Sequence, residues 1–236
     1  MAPAAVRSVY HPKLQELVDE AVENAQDKVV KLFSGSKLFR LNEDGNLPSF
    51  HMSDLTLGKE LGRGEFCTVQ SVTNIDVSEH ASPGPIHCEV FPKYFEKGDD
   101  LSAKKQMRHH CLASSEKSEK YAVKFVRDDV KQDPSQFERG IIDLIIETQI
   151  LSAISHTNII QLRGFNKQSL FQPNYFIVID RLQTTLINKM CEWRQAKASK
   201  NLFGKLKVKK EYKNKKMKLN VASSLCSALA YLHTMK

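Results

Sequence analysis

The sequence predicts an α+β fold, and three observations carry the prediction. Alternating apolar residues flank two close-set glycines over residues 55–72, LTLGKELGRGEFCTVQSV. Tyr121-Ala122-Val123-Lys124-Phe125-Val126 alternates cleanly, and Tyr175-Phe176-Ile177-Val178-Ile179 is the nearly continuous apolar run of a buried strand. Phe137, Ile141, Leu144, Ile145, Thr148 and Leu151 form a stripe at helical spacing between them.

The first of these stretches reads as strand, glycine loop, strand. Leu55, Leu57 and Leu61 recur at even spacing, Gly62-Arg63-Gly64 breaks the pattern, and Cys67, Val69 and Ser71 restart it. Two glycines one residue apart let a backbone turn tightly and approach a ligand where a Cβ would collide. Such a loop can lay its N–H groups over phosphate oxygens. A Rossmann turn and a P-loop are excluded. The third glycine position holds Cys67, no Gly-Lys-Ser/Thr is present, and the continuation is strand-like. The phosphate-binding pattern left is a glycine loop joining two antiparallel strands.

Composition narrows the classes. At 236 residues and 41% hydrophobic the chain can bury a sizeable core. It has no apolar run long enough to span a membrane and no signal-peptide pattern at its start. Its five cysteines are odd in number and scattered, which argues for reduced thiols in a cytoplasmic or nuclear protein. The net charge of +8 is local. Residues 194–218 hold eleven basic residues against one acid, Glu211, which leaves −2 for the rest. A polyanion-binding surface over the whole fold is therefore not supported, and nucleic acid is not an expected partner.

Along the chain, residues 11–33 carry an apolar stripe that includes Leu14, Leu17, Val18, Ala21, Val22, Ala25, Val29, Leu32 and Phe33, as an amphipathic helix would. Residues 34–53 read as a linker. Residues 74–120 are polar with little periodicity and read as a disordered insertion. His87-Cys88 and His109-His110-Cys111 lie within it, but their spacing fits no standard zinc site. Asp133-Pro134 starts the long helix as cap and first-turn proline. Ile159-Ile160-Gln161-Leu162 reads as a short strand closed by Gly164. A short helix over residues 185–194, a lysine-rich segment and a final helix over residues 217–233 follow. Val221, Ala222, Leu225, Leu229 and Leu232 give that last helix an apolar face, with His233 packed at its end.

In phosphoryl transfer from ATP a protein mostly positions and neutralises phosphate oxygens. A lysine on a buried strand can do this if a carboxylate holds its flexible ammonium. Lys124 stands between Val123 and Phe125, where an ammonium needs a partner, and Glu147 on the following helix can provide it. The plainer alternative is a surface lysine and a solvated helix acid.

Taken together these residues resemble the N-terminal lobe of a eukaryotic protein kinase. Gly62-Arg63-Gly64-Glu65-Phe66-Cys67 and Val69 are similar to the nucleotide-covering loop, with Cys67 where a third glycine usually stands. Ala122-Val123-Lys124 resembles the lysine strand, and Glu147 the helix glutamate that pairs with that lysine. His156-Thr157-Asn158-Ile159-Ile160 is similar to the turn from helix to fourth strand, Ile179 to the residue at the back of the adenine pocket, and Asp180-Arg181-Leu182 to the hinge. The resemblance implies ATP as cofactor, with Leu61, Val69 and Ala122 sandwiching the adenine and hinge backbone groups around Asp180 and Leu182 hydrogen-bonding it. It implies a five-stranded antiparallel sheet plus one long helix, followed by the first helices of a truncated α-helical C-lobe. It covers about residues 54–236 as a partial kinase domain, interrupted at 74–120 and 195–218, with residues 1–53 as N-terminal helix and linker. Phe137-x-x-Gly140-x-x-Asp143-Leu144, the hinge and the long insertion before the lysine strand are similar to Ser/Thr kinases expanded in diatom-like algae.

The helix through Leu232 and His233 resembles the one directly before the family's catalytic loop. No H-R-D-x-x-x-x-N loop and no D-F-G occurs in the sequence. The family calls for Mg2+, whose protein ligands are then absent, and the expectation is no catalytic or metal-binding residue here and negligible phosphoryl transfer by the chain as written. The reading is the ATP-binding part of a protein Ser/Thr kinase that, completed by a C-lobe, moves the ATP γ-phosphate to protein hydroxyls; its protein substrate is not legible. The alternatives are a non-catalytic, pseudokinase-like nucleotide-binding or regulatory module, and an RNA-binding protein acting through residues 205–218. Cys67 is a candidate reactive thiol beside the nucleotide. An N-lobe with only two further helices would expose the apolar face that meets the rest of a C-lobe, which predicts poor solubility or chaperone binding.

Overall fold

The structure, a computed structural model, describes residues 12–33, 47–77, 100–112, 120–166, 170–198 and 204–235. It is α+β. The strands are β1 (Ser49–Phe50), β2 (Leu55–Arg63), β3 (Cys67–Ile75), β4 (Tyr121–Val126), β5 (Leu162–Asn166) and β6 (Phe176–Asp180). The helices are α1 (Pro12–Phe33), α2 (Asp100–Leu112), α3 (Pro134–Ala153), α4 (Leu186–Ala198) and α5 (Gly204–Thr234). Two compact units divide the chain, one of residues 1–154 and 161–181, the other of residues 155–160 and 182–236.

The first unit is built on one mixed sheet of six strands, ordered β1-β5-β6-β4-β3-β2. Five strands pair antiparallel as expected, and the sixth corrects the expectation of a five-stranded antiparallel sheet. β1 lies parallel to β5, Ser49 opposite Phe165 and Phe50 opposite Asn166, inside the stretch read as a linker. Its physical basis is Phe50, fully buried beside Gly164. A Cβ on Gly164 would stand 2.5 Å from the Phe50 ring and 2.6 Å from the Pro48 carbonyl, so only glycine admits this strand. The fifth strand is accordingly Leu162–Asn166 with Gly164 inside it at a register shift, rather than a strand closed by that glycine. Gly164→Ala is expected to lose about 1–3 kcal/mol of unfolding free energy in urea by overpacking. Gly62→Ala, where no atom lies within 4 Å of the added carbon, should change it by much less.

Helices cover both faces of the sheet. On one face α2 packs against β3, and its Met107 joins Phe50, Leu55, Val72, Ile75, Tyr121, Val123, Phe176 and Val178 in one buried cluster. This corrects the reading of residues 74–120 as disordered throughout. β3 continues to Ile75 and residues 100–112 are helical, while residues 78–99 and 113–119 lie outside the described residues. Lys104 of α2 pairs with buried Asp54 at 3.2 Å, and its ammonium stands 5.0 Å from the centre of the Phe50 ring. Asp54 also accepts the His51 N–H at 3.0 Å, which closes the short 3-10 turn Met52–Asp54.

α3 covers the other face. Asp133 caps it as predicted, accepting from the N–H groups of Ser135 (3.0 Å) and Gln136 (3.2 Å), with Pro134 in the first turn. Phe137, Ile141, Leu144 and Ile145 are fully buried. The Tyr175 hydroxyl donates to Thr148 Oγ1 at 3.2 Å, which fastens the helix beside β6. α1 packs against α3 with Val18, Ala21, Ala25 and Val29 buried, and Lys28 pairs with Glu138. The buried stripe is narrower than predicted, for Leu17 and Leu32 are exposed.

In the second unit, α4 begins at Thr185, whose hydroxyl oxygen accepts the Asn188 N–H at 3.2 Å. His156 stacks on Tyr231, ring centres 5.1 Å apart, and Ser227 Oγ lies 3.1 Å from its Nε2. α5 is one helix of 31 residues running through the lysine-rich segment, which corrects the expectation of an insertion ahead of a separate final helix. Leu219, Leu225, Leu229 and Leu232 are exposed along it, and so is His233, which is not packed.

Candidate functional site

The strand register collects most of the predicted residues on one face. Val69 stands opposite Lys124, Ser71 opposite Ala122, and Ala122 opposite Ile179. Directly opposed residues project to the same side of a sheet. Val69, Ala122, Lys124 and Ile179 therefore share the α3 side, while Tyr121, Val123 and Val178 share the α2 side. Ala122 and Ile179 are buried, Val69 and Leu61 half-buried.

Lys124 Nζ donates to Glu147 Oε2, so the predicted pair is formed. The two side chains remain 24% and 34% exposed, and a pair so placed adds at most about 1 kcal/mol to stability. Its consequence is positional: the ammonium is held on the α3 side of β4, opposite Val69 and two residues before the strand ends.

The hairpin turns at residues 64–66. The Gly64 N–H donates to the Cys67 carbonyl at 2.8 Å, and the Arg127 N–H to the Phe66 carbonyl at 2.9 Å. The Arg127 guanidinium donates to the Gly64 carbonyl at 2.6 Å and grips Asp129 through two bonds of 2.9 and 2.8 Å. Arg63 reaches the same carboxylate at 3.1 Å. The Arg127 hydrogen bond holds the Asp129 carboxyl below the usual carboxylate range. Arg127 and Asp129 are the residues that sequence reasoning missed; the signal was the Arg127-Asp128-Asp129 run directly after the lysine strand.

Neither loop glycine is demanded by the backbone. No described glycine has positive φ, Gly62 has open space where a Cβ would go, and a Cβ on Gly64 would make only ordinary contact at 3.4 Å. The tight-turn argument from sequence therefore does not explain them. Their consequence is the clear space they leave outside the loop. Gly62, Arg63, Gly64 and Glu65 form its exposed rim, while Phe66 and Cys67 turn inward.

Cys67 is buried on the α3 side, and burial pushes its thiol up to about 11 against the opposing pull of Lys124. This overturns its candidacy as a reactive thiol, because the thiolate is the nucleophile. Alkylation near neutral pH is expected to modify exposed Cys191 and Cys226 before buried Cys67, as mass spectrometry of a time course would read. The thiol stays protonated in the fold, so its contribution to stability is intact below pH 9.0 and is lost as pH rises towards about 11.

At the expected hinge, the Asp180 N–H donates to the Gln161 carbonyl at 3.1 Å and the Arg181 N–H to the Lys120 carbonyl at 2.8 Å. The Asp180 carboxylate takes two bonds from Arg163, at 2.7 and 3.2 Å. Those two N–H groups are engaged in the protein. Leu182 is exposed and falls in the second compact unit.

Among the described residues, no set of three or more His, Cys, Asp or Glu is placed to hold a metal ion. His110 Nδ1 lies 3.1 Å from the Tyr121 hydroxyl, and His87 and Cys88 fall outside the described residues. Among the described residues, no helix is long and apolar enough to cross a membrane. No family model matches this chain, and no curated protein matches it.

Proposed function

We propose that the first unit binds ATP as the nucleotide-holding part of a protein Ser/Thr kinase-like fold. The observation that carries this reading is the Lys124–Glu147 pair, on the same sheet face as Val69 and Ala122 and on the strand paired with the glycine hairpin, whose residues 62–65 are exposed. The donors suit a triphosphate: one fixed ammonium and exposed backbone beside it, with an apolar floor of Val69, Ala122 and Ile179 for a base. ATP, when bound, supplies the transferable phosphoryl group. The chain's own residues orient and neutralise it. Lys124 meets phosphate oxygens, Glu147 keeps the ammonium from swinging away, and the loop backbone covers the phosphates.

The RNA reading has less support. Lys215, Lys216 and Lys218 are exposed on α5, but the Lys218 ammonium is engaged 5.4 Å from the centre of the Trp193 ring.

A thermal melt tests the proposal. A ligand that binds only the folded state raises the transition as its concentration passes its dissociation constant. Millimolar ATP is expected to raise the melting temperature more than the same concentration of tripolyphosphate. An unchanged transition with ATP would remove nucleotide binding.

A further inference from the structure

Phe66 departs from the rest of the loop. Gly62, Arg63, Gly64 and Glu65 are exposed, whereas Phe66 is half-buried against α3. There it meets Gly140: a Cβ built on that glycine would lie 2.9 Å from Phe66 Cβ, 3.5 Å from its Cγ and 3.5 Å from Val126 Cγ1. Glycine disfavours a helix interior relative to alanine, so its place within α3 has a counterpart in the room it gives Phe66. Gly140 is seven residues before Glu147, two turns along the same helix face. One face of α3 thus touches the glycine loop at Gly140 and the phosphate lysine at Glu147. From the other side, Arg127 holds the carbonyls of Gly64 and Phe66 and stands three residues after Lys124.

We propose that Phe66 is a positioning residue: it pins the glycine loop to α3 at Gly140, so that the loop and the Lys124–Glu147 pair are set by one rigid helix. The nucleotide half of this rests on the reading of the site given above; the pinning itself does not. Without the pin the loop lifts from the helix, and the backbone over the phosphates is no longer held in register with the ammonium.

The experiment uses the full chain and three variants, Gly140→Ala, Phe66→Gly and the double variant. Hydrogen exchange is read at the Gly64 and Arg127 amides, and binding with a fluorescent ATP analogue. Gly140→Ala is expected to speed exchange at those two amides roughly tenfold while the buried amides of β4 and the middle of α3 keep their protection. Each single variant should weaken nucleotide binding by roughly three- to tenfold, and the double variant no more than Phe66→Gly alone, because both remove the same contact. A glycine that served only the helix would leave loop exchange unchanged and give additive losses; either result overturns the pin. If the wild-type chain binds no nucleotide while the loop amides respond as described, the pin stands and the nucleotide reading falls. Should Gly140→Ala fail to fold, Phe66→Gly alone decides, since the pin requires faster exchange at Gly64 and Arg127 in it too.

Discussion

Lys124→Ala is expected to weaken binding of a fluorescent ATP analogue by roughly 10- to 100-fold, the loss of a charge-assisted contact to phosphate. Stability should move by no more than about 1 kcal/mol, because the Lys124–Glu147 pair is partly exposed and adds little to the fold. The separation of the two readouts is the point. A structural lysine would lose stability and leave binding untouched, and a solvated one would change neither. Glu147→Gln keeps the shape and removes the charge that holds the ammonium, so it should weaken binding less than Lys124→Ala while following the same pattern. Isothermal titration beside urea unfolding, on the same preparations, separates these outcomes.

The second large effect lies in the fold. Phe50 is fully buried, packs beside Gly164 and has the Lys104 ammonium over its ring. It joins β1, β5 and α2, elements far apart in the chain. Phe50→Ala should cost about 3–5 kcal/mol in urea unfolding, the transfer of a large aromatic side chain plus the cavity it leaves. A residue in a true linker would give a change near zero. The measurement therefore checks directly that residues 49–50 belong to the sheet.

What was legible in the sequence was what local pattern records. β3, β4 and β6 alternate or run continuously apolar, and α3 carries a cap, a first-turn proline and a clear stripe. The Lys124–Glu147 pair was legible because an ammonium inside an apolar strand requires a carboxylate, and the next helix offered one. β1 was not legible. Two residues carry no period, and their parallel partner lies more than a hundred residues away, admitted by the missing Cβ of Gly164. α2 was hidden because its lysines and histidines mask a face of which Met107 is the member buried in the core. The continuity of α5 was hidden by its charge run, although lysine is a good helix former and neither proline nor glycine interrupts residues 205–234. The contact between Phe66 and Gly140 is long-range, and nothing in either segment announces the other. Cys67 was misjudged for the same reason: its chemistry is decided by burial under α3, which local sequence does not record.

In the proposed function, the glycine hairpin, the lysine strand and the end of β6 form one nucleotide site. Backbone amide chemical shifts followed through an ATP titration check this. Saturable shifts are expected at residues 62–69, 122–124 and 179–180, abolished together by Lys124→Ala. Shifts confined to the lysine-bearing part of α5, or none at ATP concentrations well into the millimolar range, would contradict it.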